Sequence, residues 1–284
     1  MTHQTAKLRS LHMMRPPDPD ALSHDLYVIG DIHGEYDKLV SHLQTAGLID
    51  SHLRWRGENT HLWFMGDFVD RGRNGIGVID LVMSLQREAQ ASGGKIGAIL
   101  GNHDAIYAAV WRFGKNDLGN PFRGAWLING GLLSDLERTE DHHVMWLSGL
   151  PAMARVGRYL FIHADSLLYT HYGDTIPQIN AAIYRILHSD EMGNWEILLD
   201  QFADRMAFMP RKQNGTDRAL YLLNLFGGEQ IIHGHTPIHY ATGSSEAFRT
   251  LEPMRYALHE GRYLCMNVDG GMYSGGPGFI VRLD

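Results

Sequence analysis

The chain has 284 residues, of which 44% are hydrophobic and 20% are charged, as in globular proteins that bury a sizeable core. Its formal net charge of −7, with histidine neutral, argues against sequence-independent binding to a nucleic acid backbone, which requires a basic surface. We therefore expect no nucleic acid partner. A small phosphorylated substrate remains compatible with this charge, because a metal ion can supply positive charge.

No apolar run approaches the roughly 18 residues that span a bilayer, and the N-terminal residues lack the apolar segment of a secretory signal. The single cysteine, Cys265, excludes an intrachain disulfide framework, and its strand-like surroundings favour a buried, unreactive thiol. We expect a cytoplasmic protein without a membrane partner. Residues 1–24 are predicted to form a flexible leader and residues 25–284 a single domain, with insertions at about 105–150 and 166–229.

Short apolar runs of strand length recur along the chain, each followed by polar residues: DLYVIG, HLWFMG, KIGAIL, RYLFI, QII and YLCMNV. Between the first three runs, apolar residues repeat at the spacing of one helix face: Tyr36, Leu39, Val40 and Leu43, then Val78, Leu81, Val82 and Leu85. Gly47 is the predicted stop of the first helix. This alternation predicts an α/β fold with crossover connections, in which ligands bind beyond the carboxyl ends of the strands.

The polar residues at these predicted strand ends include six that commonly bind metals: Asp31, His33, Asp67, Asn102, His163 and His235. Carboxylate, imidazole and amide oxygen suit Mn, Fe or Zn, and the absence of thiolate disfavours a structural zinc site. Asp31 and His33 are two residues apart, so in extended backbone they point to the same side and can hold one ion.

A second ion would use Asn102 and the two later histidines, and the two oxygens of Asp67 would bridge both ions in a binuclear site. Simpler interpretations exist for single residues. An aspartate at a strand end is more often a helix cap, and a histidine after an apolar run, such as His163, is more often packed in the core.

Three residues beside these ligands are candidates for catalysis. Arg71 follows GDFVD and can make a fork-like contact with phosphate oxygens. Asp70 is predicted to orient a histidine, although Asp70 and Arg71 could instead form a structural ion pair. His103 adjoins Asn102 and is the candidate general acid, or orienting group, for a leaving alkoxide.

The ordered motifs GDIHG, GDFVDRG, GNHD, HA and GHTP stretch from Gly30 to Pro237. As a set they resemble the calcineurin-like metallophosphoesterases. The GDxVDRG form is most similar to the phosphoprotein phosphatase family of serine/threonine phosphatases and its bacterial relatives, which include symmetrical dinucleoside tetraphosphate hydrolases. LYVIGDIHG, GAILGNHD and VDGGM also resemble the Shewanella-like phosphatase branch. The chain departs from the protein phosphatase pattern at GNHD and HADS, which leaves substrate choice open.

The resemblance implies a four-layer α/β/β/α sandwich of two mixed sheets, with the late strands near 262–268 and 278–283 in the second sheet. It assigns the first metal to Asp31, His33 and Asp67, and the second to Asp67, Asn102, His163 and His235. His235 is preferred to His233 because it belongs to the GHT motif.

The same resemblance assigns the leaving group to His103, supported by Asp70, and phosphate binding to Arg71. A second phosphate-binding arginine has no single match; the candidates are Arg112, Arg123, Arg205 and Arg211. Two divalent metal ions are implied, with manganese expected and iron or zinc as alternatives.

These observations predict a binuclear metal-dependent phosphomonoesterase similar to serine/threonine protein phosphatases, in which a hydroxide held between the metals attacks phosphorus in line. The expected partner is a phosphorylated substrate. The alternative is hydrolysis of dinucleoside polyphosphates or another small phosphoester by the same site. A nuclease and a non-catalytic scaffold are further alternatives from different classes.

Three other segments are interpreted from the sequence. Residues 129–131 form a loop that could line the cleft. Residues 269–278 are expected to form a tight turn between strands, with a loop at the rim of the pocket as the alternative, and Asp269 is expected to be structural. His142 and His143 are expected to lie on a polar helix face without a function.

Overall fold

Two β-sheets pack against each other in the protein, a computed structural model of which describes residues 24–284. The first sheet has the order β3-β2-β1-β9 and consists of β1 (Leu26–Ile29), β2 (His61–Phe64), β3 (Lys95–Ala98) and β9 (Ile280–Leu283). The second has the order β4-β5-β6-β8-β7 and consists of β4 (Met153–Val156), β5 (Tyr159–Ile162), β6 (Gln230–His233), β7 (Met254–His259) and β8 (Arg262–Asn267). The predicted leader, apart from its last residue, lies outside the described residues.

Both sheets are mixed. Strands β1, β2 and β3 pair in parallel, and β9 runs antiparallel to β1. In the second sheet β5, β6 and β8 are parallel, with antiparallel strands at both edges. The prediction that both late strands belong to the second sheet is therefore wrong for one of them. Strand β9 returns to the first sheet, because its apolar residues pack beside Leu26 and Val28 of β1.

Side chains of alternate strand residues face two separate cores. Leu26 and Val28 of β1 share the core between the sheets with Phe161 and Met266 of the second sheet. Ile29, one residue further along, belongs instead to the larger core that contains the helices. Helices cover the outer faces, with helix 75–91 on β3 and helix 215–226 on β6, β7 and β8. The predicted four-layer α/β/β/α sandwich is confirmed.

The described residues form ten α-helices. They are α1 (Tyr36–Thr45), α2 (Gly75–Ala91), α3 (Asn102–Arg112), α4 (Pro121–Ile128), α5 (Leu133–Arg138), α6 (Asp141–Ser148), α7 (Ile176–Leu187), α8 (Met192–Phe202), α9 (Gly215–Phe226) and α10 (Ile238–Thr242). Both helices predicted from apolar spacing are present, and Gly47 follows α1 with a φ of 70°. Among residues 24–284, no helix combines the length and apolar character needed to cross a bilayer.

Two long helical connections overlie the carboxyl ends of the strands. Helices α3 to α6 join β3 to β4, and a short 3-10 helix with α7, α8 and α9 joins β5 to β6. They correspond to the segments predicted as insertions. In the first connection, α4 begins at Pro121, and the preceding Asn120 caps it by accepting a hydrogen bond from the Phe122 N–H.

Candidate active site

The turns after the strands adopt backbone conformations that few residues tolerate. Eleven non-glycine residues of the described chain have positive φ, and five of these are predicted site residues: His33, Asp67, Asp70, Arg71 and His235. Each such conformation costs on the order of 1–3 kcal/mol and persists only where the surrounding structure fixes it. The concentration of these turns at one edge of the two sheets marks this edge as a functional site.

The first group of donors lies after β1 and β2. The Nε2 atom of His33 is 3.4 Å from Asp67 Oδ2 and 3.9 Å from Asp31 Oδ2. The other ring nitrogen of His33 donates to the Val69 carbonyl at 3.0 Å, so Nε2 presents a lone pair to the carboxylates. Asp31 is oriented by the second sheet, because both of its oxygens accept from the His235 N–H at 3.0 Å.

The second group joins the two sheets. Asn102 Oδ1 is 3.0 Å from His163 Nε2 and 2.9 Å from His235 Nδ1, and His163 Nε2 is 3.4 Å from Asp67 Oδ2. His163 donates its Nδ1–H to the Met65 carbonyl at 2.6 Å, which again leaves Nε2 as the ligand atom. Asp67 therefore contributes to both groups. All these side chains except Asn102 are at least nine-tenths buried.

Charges in this buried space are unbalanced. Burial raises the pKa of Asp31 well above its ordinary value, and the Asp269 carboxylate adds to the shift. Burial also opposes the charged forms of Asp67 and His163, but their attraction holds the pKa of Asp67 well below its usual range. The same carboxylate raises the pKa of His163 to about 10. The buried Asp67 carboxylate thus stabilises positive charge next to it.

Two divalent cations fit this arrangement. The donor atoms of His33, Asp67 and His103 lie within 4.8 Å of one another, as do those of Asp67, His163 and His235. The first of these groups contains His103 where the resemblance assigns Asp31, whose Oδ2 lies 3.9 Å from His33 Nε2. Imidazole lone pairs and carboxylate oxygens that converge in a buried space repel one another unless a cation lies between them. His235 Nε2 is buried without a hydrogen-bond partner, which indicates that contacts on the Nδ1 side decide the orientation of this ring.

Asp104, which sequence reasoning missed, holds Asp67, the residue common to both donor groups. Its carboxylate accepts from the N–H groups of Asp67 and Phe68 at 2.8 Å and of Gly101 at 2.9 Å. A Cβ atom on Gly101 would lie 2.1 Å from Asp67 Oδ1, so only glycine permits this approach. The GNHD motif could have indicated this role for Asp104, because it places an acid at the third position of α3, where the carboxylate caps the helix.

His103 lies between the Asp70 carboxylate and the Arg71 guanidinium. Its Nδ1 is 2.8 Å from Asp70 Oδ2, and its Nε2 accepts from the Arg71 guanidinium at 2.9 Å. Burial lowers the pKa of His103 to about 4, and the charge of Arg71 adds to that shift. Asp70 is held in turn by Trp126 of α4, whose indole N–H donates to Asp70 Oδ1 at 2.7 Å. The structure places Asp70 against His103, as predicted, and adds Trp126, which sequence reasoning missed.

Arg71 is fixed by the loop 129–131. Its backbone N–H donates to the Gly130 carbonyl at 2.7 Å, and its Nε donates to the Asn129 carbonyl at 3.3 Å. The guanidinium also contacts His33 Nε2 at 3.3 Å and lies 4.1 Å from the centre of the Tyr273 ring. The loop therefore lines the cleft, and an Asp70–Arg71 ion pair is not formed, since each side chain contacts His103 instead.

The segment 269–278 is a loop at the rim and not a tight turn. It contains a 3-10 helix, Met272–Ser274, and α1 anchors it, since Lys38 donates to the carbonyls of Met272 and Gly276. The Tyr273 ring consequently meets the His33 ring edge-on, with the centroids 4.7 Å apart. The prediction of a tight turn is wrong because the loop is held by Lys38, which lies 234 residues before Met272 in the sequence.

Among the candidate second arginines, Arg205 adds to the lowered pKa of His235, after burial and His163. Its charge also adds to the lowered pKa of His103, after burial, Arg71 and His163, while Asp67 acts in the opposite direction. Arg112 instead binds the carbonyls of His188 and Ser189 and the Asp190 carboxylate.

Other sequence interpretations are resolved by contacts. Cys265 is buried, as predicted. His233 is also buried, and its Nε2 lies 2.6 Å from the Tyr256 hydroxyl.

His142 and His143 approach Asp80 within 4.8 Å. However, His143 Nδ1 accepts from the Glu140 N–H, so its Nε2 carries the proton that Asp80 accepts. This geometry suits a helix cap and not a metal site.

Comparison with known proteins agrees with this geometry. A sequence model of the calcineurin-like phosphoesterase family matches residues 24–239. The chain is 42% identical over 81 residues to Shewanella-like protein phosphatase 2 of Arabidopsis thaliana, which covers 28% of this chain and 21% of that protein. It is 30% identical over 203 residues to the symmetrical bis(5′-nucleosyl)-tetraphosphatase of Ralstonia nicotianae, which covers 70% of this chain and 61% of that protein.

These matches span between 21% and 61% of the relatives' own lengths. Among solved structures, a cold-active protein-tyrosine phosphatase of a psychrophilic Shewanella species superposes with a TM-score of 0.66 at 20% identity, over 92% of this chain and 75% of that one. This likeness shows the fold. Because the family match covers most of the sequence, the chain belongs to the calcineurin-like phosphoesterase family.

Proposed function

We propose that the protein is a metal-dependent phosphomonoesterase with a binuclear centre at the edge shared by the two sheets. One observation carries this proposal: two buried donor groups share Asp67, and an arginine lies directly beside them. One ion would be held by Asp31, His33 and Asp67, and the other by Asp67, Asn102, His163 and His235. When bound, such ions lower the pKa of water and neutralise charge on a phosphoryl group.

The residues around the centre suit phosphate ester hydrolysis. Arg71 presents a planar guanidinium that can bind two non-bridging oxygens at once, and its backbone is held by Gly130. A water molecule would attack phosphorus in line with the ester bond. That bond then breaks, and the leaving oxygen takes up a proton.

His103 is the group proposed to serve the leaving oxygen. Asp70 holds its Nδ1, so Nε2 faces the cleft. A bound phosphate would offset the charge of Arg71, which together with burial lowers the pKa of His103 in the free protein. The role would be that of a general acid, worth typically 10²–10⁴-fold in rate.

Phosphoserine or phosphothreonine in protein is the first proposed substrate, and manganese is the proposed metal in assays. Similarity to a plant Shewanella-like protein phosphatase supports the substrate. Hydrolysis of dinucleoside polyphosphates is the second candidate, because similarity to a symmetrical tetraphosphatase extends over 70% of the chain. The same donors and Arg71 would serve both reactions, since each breaks a phosphorus–oxygen bond.

A simple assay tests the general proposal. Purified protein supplied with manganese should hydrolyse p-nitrophenyl phosphate, and a chelator should abolish the activity until metal is restored. Lack of turnover with manganese, iron and zinc alike would exclude the proposed function.

The substrate is decided by a direct comparison. kcat/KM should be measured for a panel of phosphoserine, phosphothreonine and phosphotyrosine peptides and for diadenosine tetraphosphate under the same metal conditions. Preference for the serine and threonine peptides supports the first candidate. A higher value for diadenosine tetraphosphate replaces it with the second.

A further inference from the structure

Tyr256 lies on β7 at the edge of the second sheet, and its hydroxyl reaches the ends of two other strands of that sheet. It donates to Asp165 Oδ2 at 3.0 Å, and its oxygen lies 2.6 Å from His233 Nε2. Asp165 belongs to the turn after β5, and His233 is the last residue of β6. Because a hydroxyl can donate one hydrogen bond and accept another, one oxygen atom connects both strand ends.

These two strand ends carry the histidines proposed as metal ligands. His163 comes two residues before Asp165 in the sequence. His235 comes two residues after His233. The Nε2 atom of His163 lies only 3.2 Å from the Nδ1 atom of His235, so a small movement of either strand end changes the distance between these donor atoms. The Tyr256 hydroxyl thus joins residues that lie two positions from both donors.

The turn after β6 depends on its neighbours for its shape. His235 has a φ of 70°, a conformation that costs energy and persists only where surrounding contacts fix it. The preceding Gly234 N–H donates to the His163 carbonyl at 3.0 Å, which joins the two strand ends through their backbones. The carbonyl of His233 accepts from the Val268 N–H at 2.8 Å. The strained turn therefore begins at a residue that is held through both its backbone and its ring.

The contacts of the Tyr256 hydroxyl are shielded from solvent. Tyr256 is 6% exposed, and Asp165 and His233 are each 1% exposed. The other carboxylate oxygen of Asp165, Oδ1, accepts from the Met206 N–H at 2.7 Å, so both oxygens are bound and the group keeps one orientation. Buried polar groups that lose a partner are costly. Loss of the hydroxyl would therefore favour movement of the two strand ends relative to each other.

We propose that the Tyr256 hydroxyl is a positioning group that sets the distance between His163 and His235, and with it the affinity of the metal position proposed for Asp67, Asn102 and these two histidines. This inference rests on the proposed function, which places an ion there. The contrasting view is that the hydroxyl only stabilises the second sheet. The two views differ in whether its loss changes metal affinity or stability alone.

Titration of the metal-free protein with manganese, followed by calorimetry, separates these views without a measurement of turnover. The wild type should bind two equivalents. Tyr256→Phe removes only the oxygen, and one equivalent should then bind about 10-fold more weakly. This is the lower end of the range for losing a group that orients a metal ligand, because Tyr256 acts through the two strand ends. The other equivalent should keep its wild-type affinity. Asn102→Ala removes a donor proposed for the affected position alone, so it identifies which equivalent is weakened.

Tyr159→Phe is the matched control. Tyr159 is 2% exposed and is the first residue of β5, at the opposite end of that strand from His163. Its hydroxyl donates to the Asp284 carbonyl at 2.7 Å, so this variant also loses one hydrogen bond of a buried tyrosine in the second sheet. Thermal unfolding of the metal-free protein should occur at lower temperature in both variants. Both manganese affinities should stay at the wild-type level in Tyr159→Phe.

A second pair of variants applies where Tyr256→Phe does not fold. In Asp165→Asn the amide nitrogen can donate to the Tyr256 oxygen while the amide oxygen still accepts from the Met206 N–H. This variant should keep both manganese affinities. Combining it with Tyr256→Phe leaves no unpaired buried carboxylate, and the combined variant should show the same weakening of one equivalent, about 10-fold relative to Asp165→Asn.

Each outcome decides between the views. Unchanged manganese affinities in Tyr256→Phe, or equal weakening of both equivalents, would overturn the positioning role and leave the proposed function standing. Weakening of an equivalent that Asn102→Ala does not affect would overturn it as well. Wild-type protein that binds fewer than two equivalents of manganese would instead refute the binuclear centre of the proposed function, and the inference with it.

Discussion

The candidate site has two sides that are built differently. On the side of the proposed metal ligands, which we call the metal-facing side, His33, Asp67 and His163 are at most 1% exposed, and each lies within four residues of the end of a strand. On the side of the proposed phosphate contact, which we call the phosphate-facing side, Arg71 and Tyr273 are half-buried and lie on loops. The first side is held by hydrogen bonds to carbonyls of neighbouring strands and turns. The second side is held by loops that are distant in sequence.

This difference suggests that the two sides have different roles: one determines which reaction the site supports, and the other determines which substrate binds. Buried donors with fixed tautomers cannot adapt to another ligand, so they determine which reaction the site supports. Half-exposed side chains on loops can vary in position and identity without disturbing the sheets, so they determine what binds. Substitutions on the metal-facing side should therefore reduce turnover on every substrate. Substitutions on the phosphate-facing side should change affinity and preference.

The largest effect is expected for Asp67→Asn, which removes the charge shared by both donor groups. The amide keeps the shape but offers only one oxygen, so one ion should be lost and the other bound weakly. Because bound metals contribute several kcal/mol to catalysis, activity on p-nitrophenyl phosphate should fall on the order of 10³-fold. Metal content by mass spectrometry should fall in parallel. A variant that keeps two equivalents of metal would show that Asp67 does not bridge the ions.

His103→Asn should give the next largest loss, about 10²–10⁴-fold in kcat, the usual contribution of a general acid. The amide still fits between Asp70 and Arg71 but cannot release a proton. Metal content should be unchanged, which distinguishes this variant from Asp67→Asn. The loss should be greater for phenyl phosphate than for p-nitrophenyl phosphate, because a poorer leaving group needs the proton more. Equal losses on both esters would contradict a role at the leaving oxygen.

The metal-facing side could be predicted from the sequence because its signals are local. A strand that is followed by Asp31-x-His33, or by Asn102 after GAIL, places its candidate ligand within four residues of the sheet, and parallel strands bring such ends together. Backbone strain at His33 and Asp67 is consistent with the same turns. The prediction therefore needed the strand pattern, the chemistry of the ligands and the resemblance of the ordered motifs to the calcineurin-like metallophosphoesterases.

The phosphate-facing side could not be predicted because its contacts join distant segments. Nothing local to Trp126 indicates that its indole reaches Asp70, 56 residues earlier. Nothing in DGGMYSGG shows that α1 would draw Tyr273 onto Arg71. Strand β9 was misplaced for a similar reason, since an apolar run does not specify which sheet it completes.

Trp126→Phe tests whether the long connection after β3 supports catalysis. Phenylalanine keeps most of the packing but leaves the buried Asp70 Oδ1 without its donor, which should cost about 1–3 kcal/mol of stability. Without the hydrogen bond from Trp126, Asp70 should hold His103 in a less fixed orientation. The value of kcat should therefore fall about 10-fold, within the range for losing a group that orients a functional side chain. Trp195→Phe is the matched control. Its indole N–H binds the Ser189 carbonyl away from the site, so thermal unfolding should shift similarly while kcat stays unchanged. Equal kinetic effects in both variants would contradict the proposal.

Tyr273→Leu should produce the smallest effect and act on affinity. The Arg71 guanidinium lies 4.1 Å from the ring centre, and a half-exposed cation–π contact contributes about 0.5–1 kcal/mol. Leucine removes the ring that steadies Arg71, so KM should rise about 2- to 5-fold with kcat nearly constant. Tyr273→Phe keeps the ring and should match the wild type in both constants. Because Tyr273 also meets His33 edge-on, a fall in kcat or in metal content would show that the rim loop belongs to the metal-facing side, and the division between the two sides would have to be redrawn.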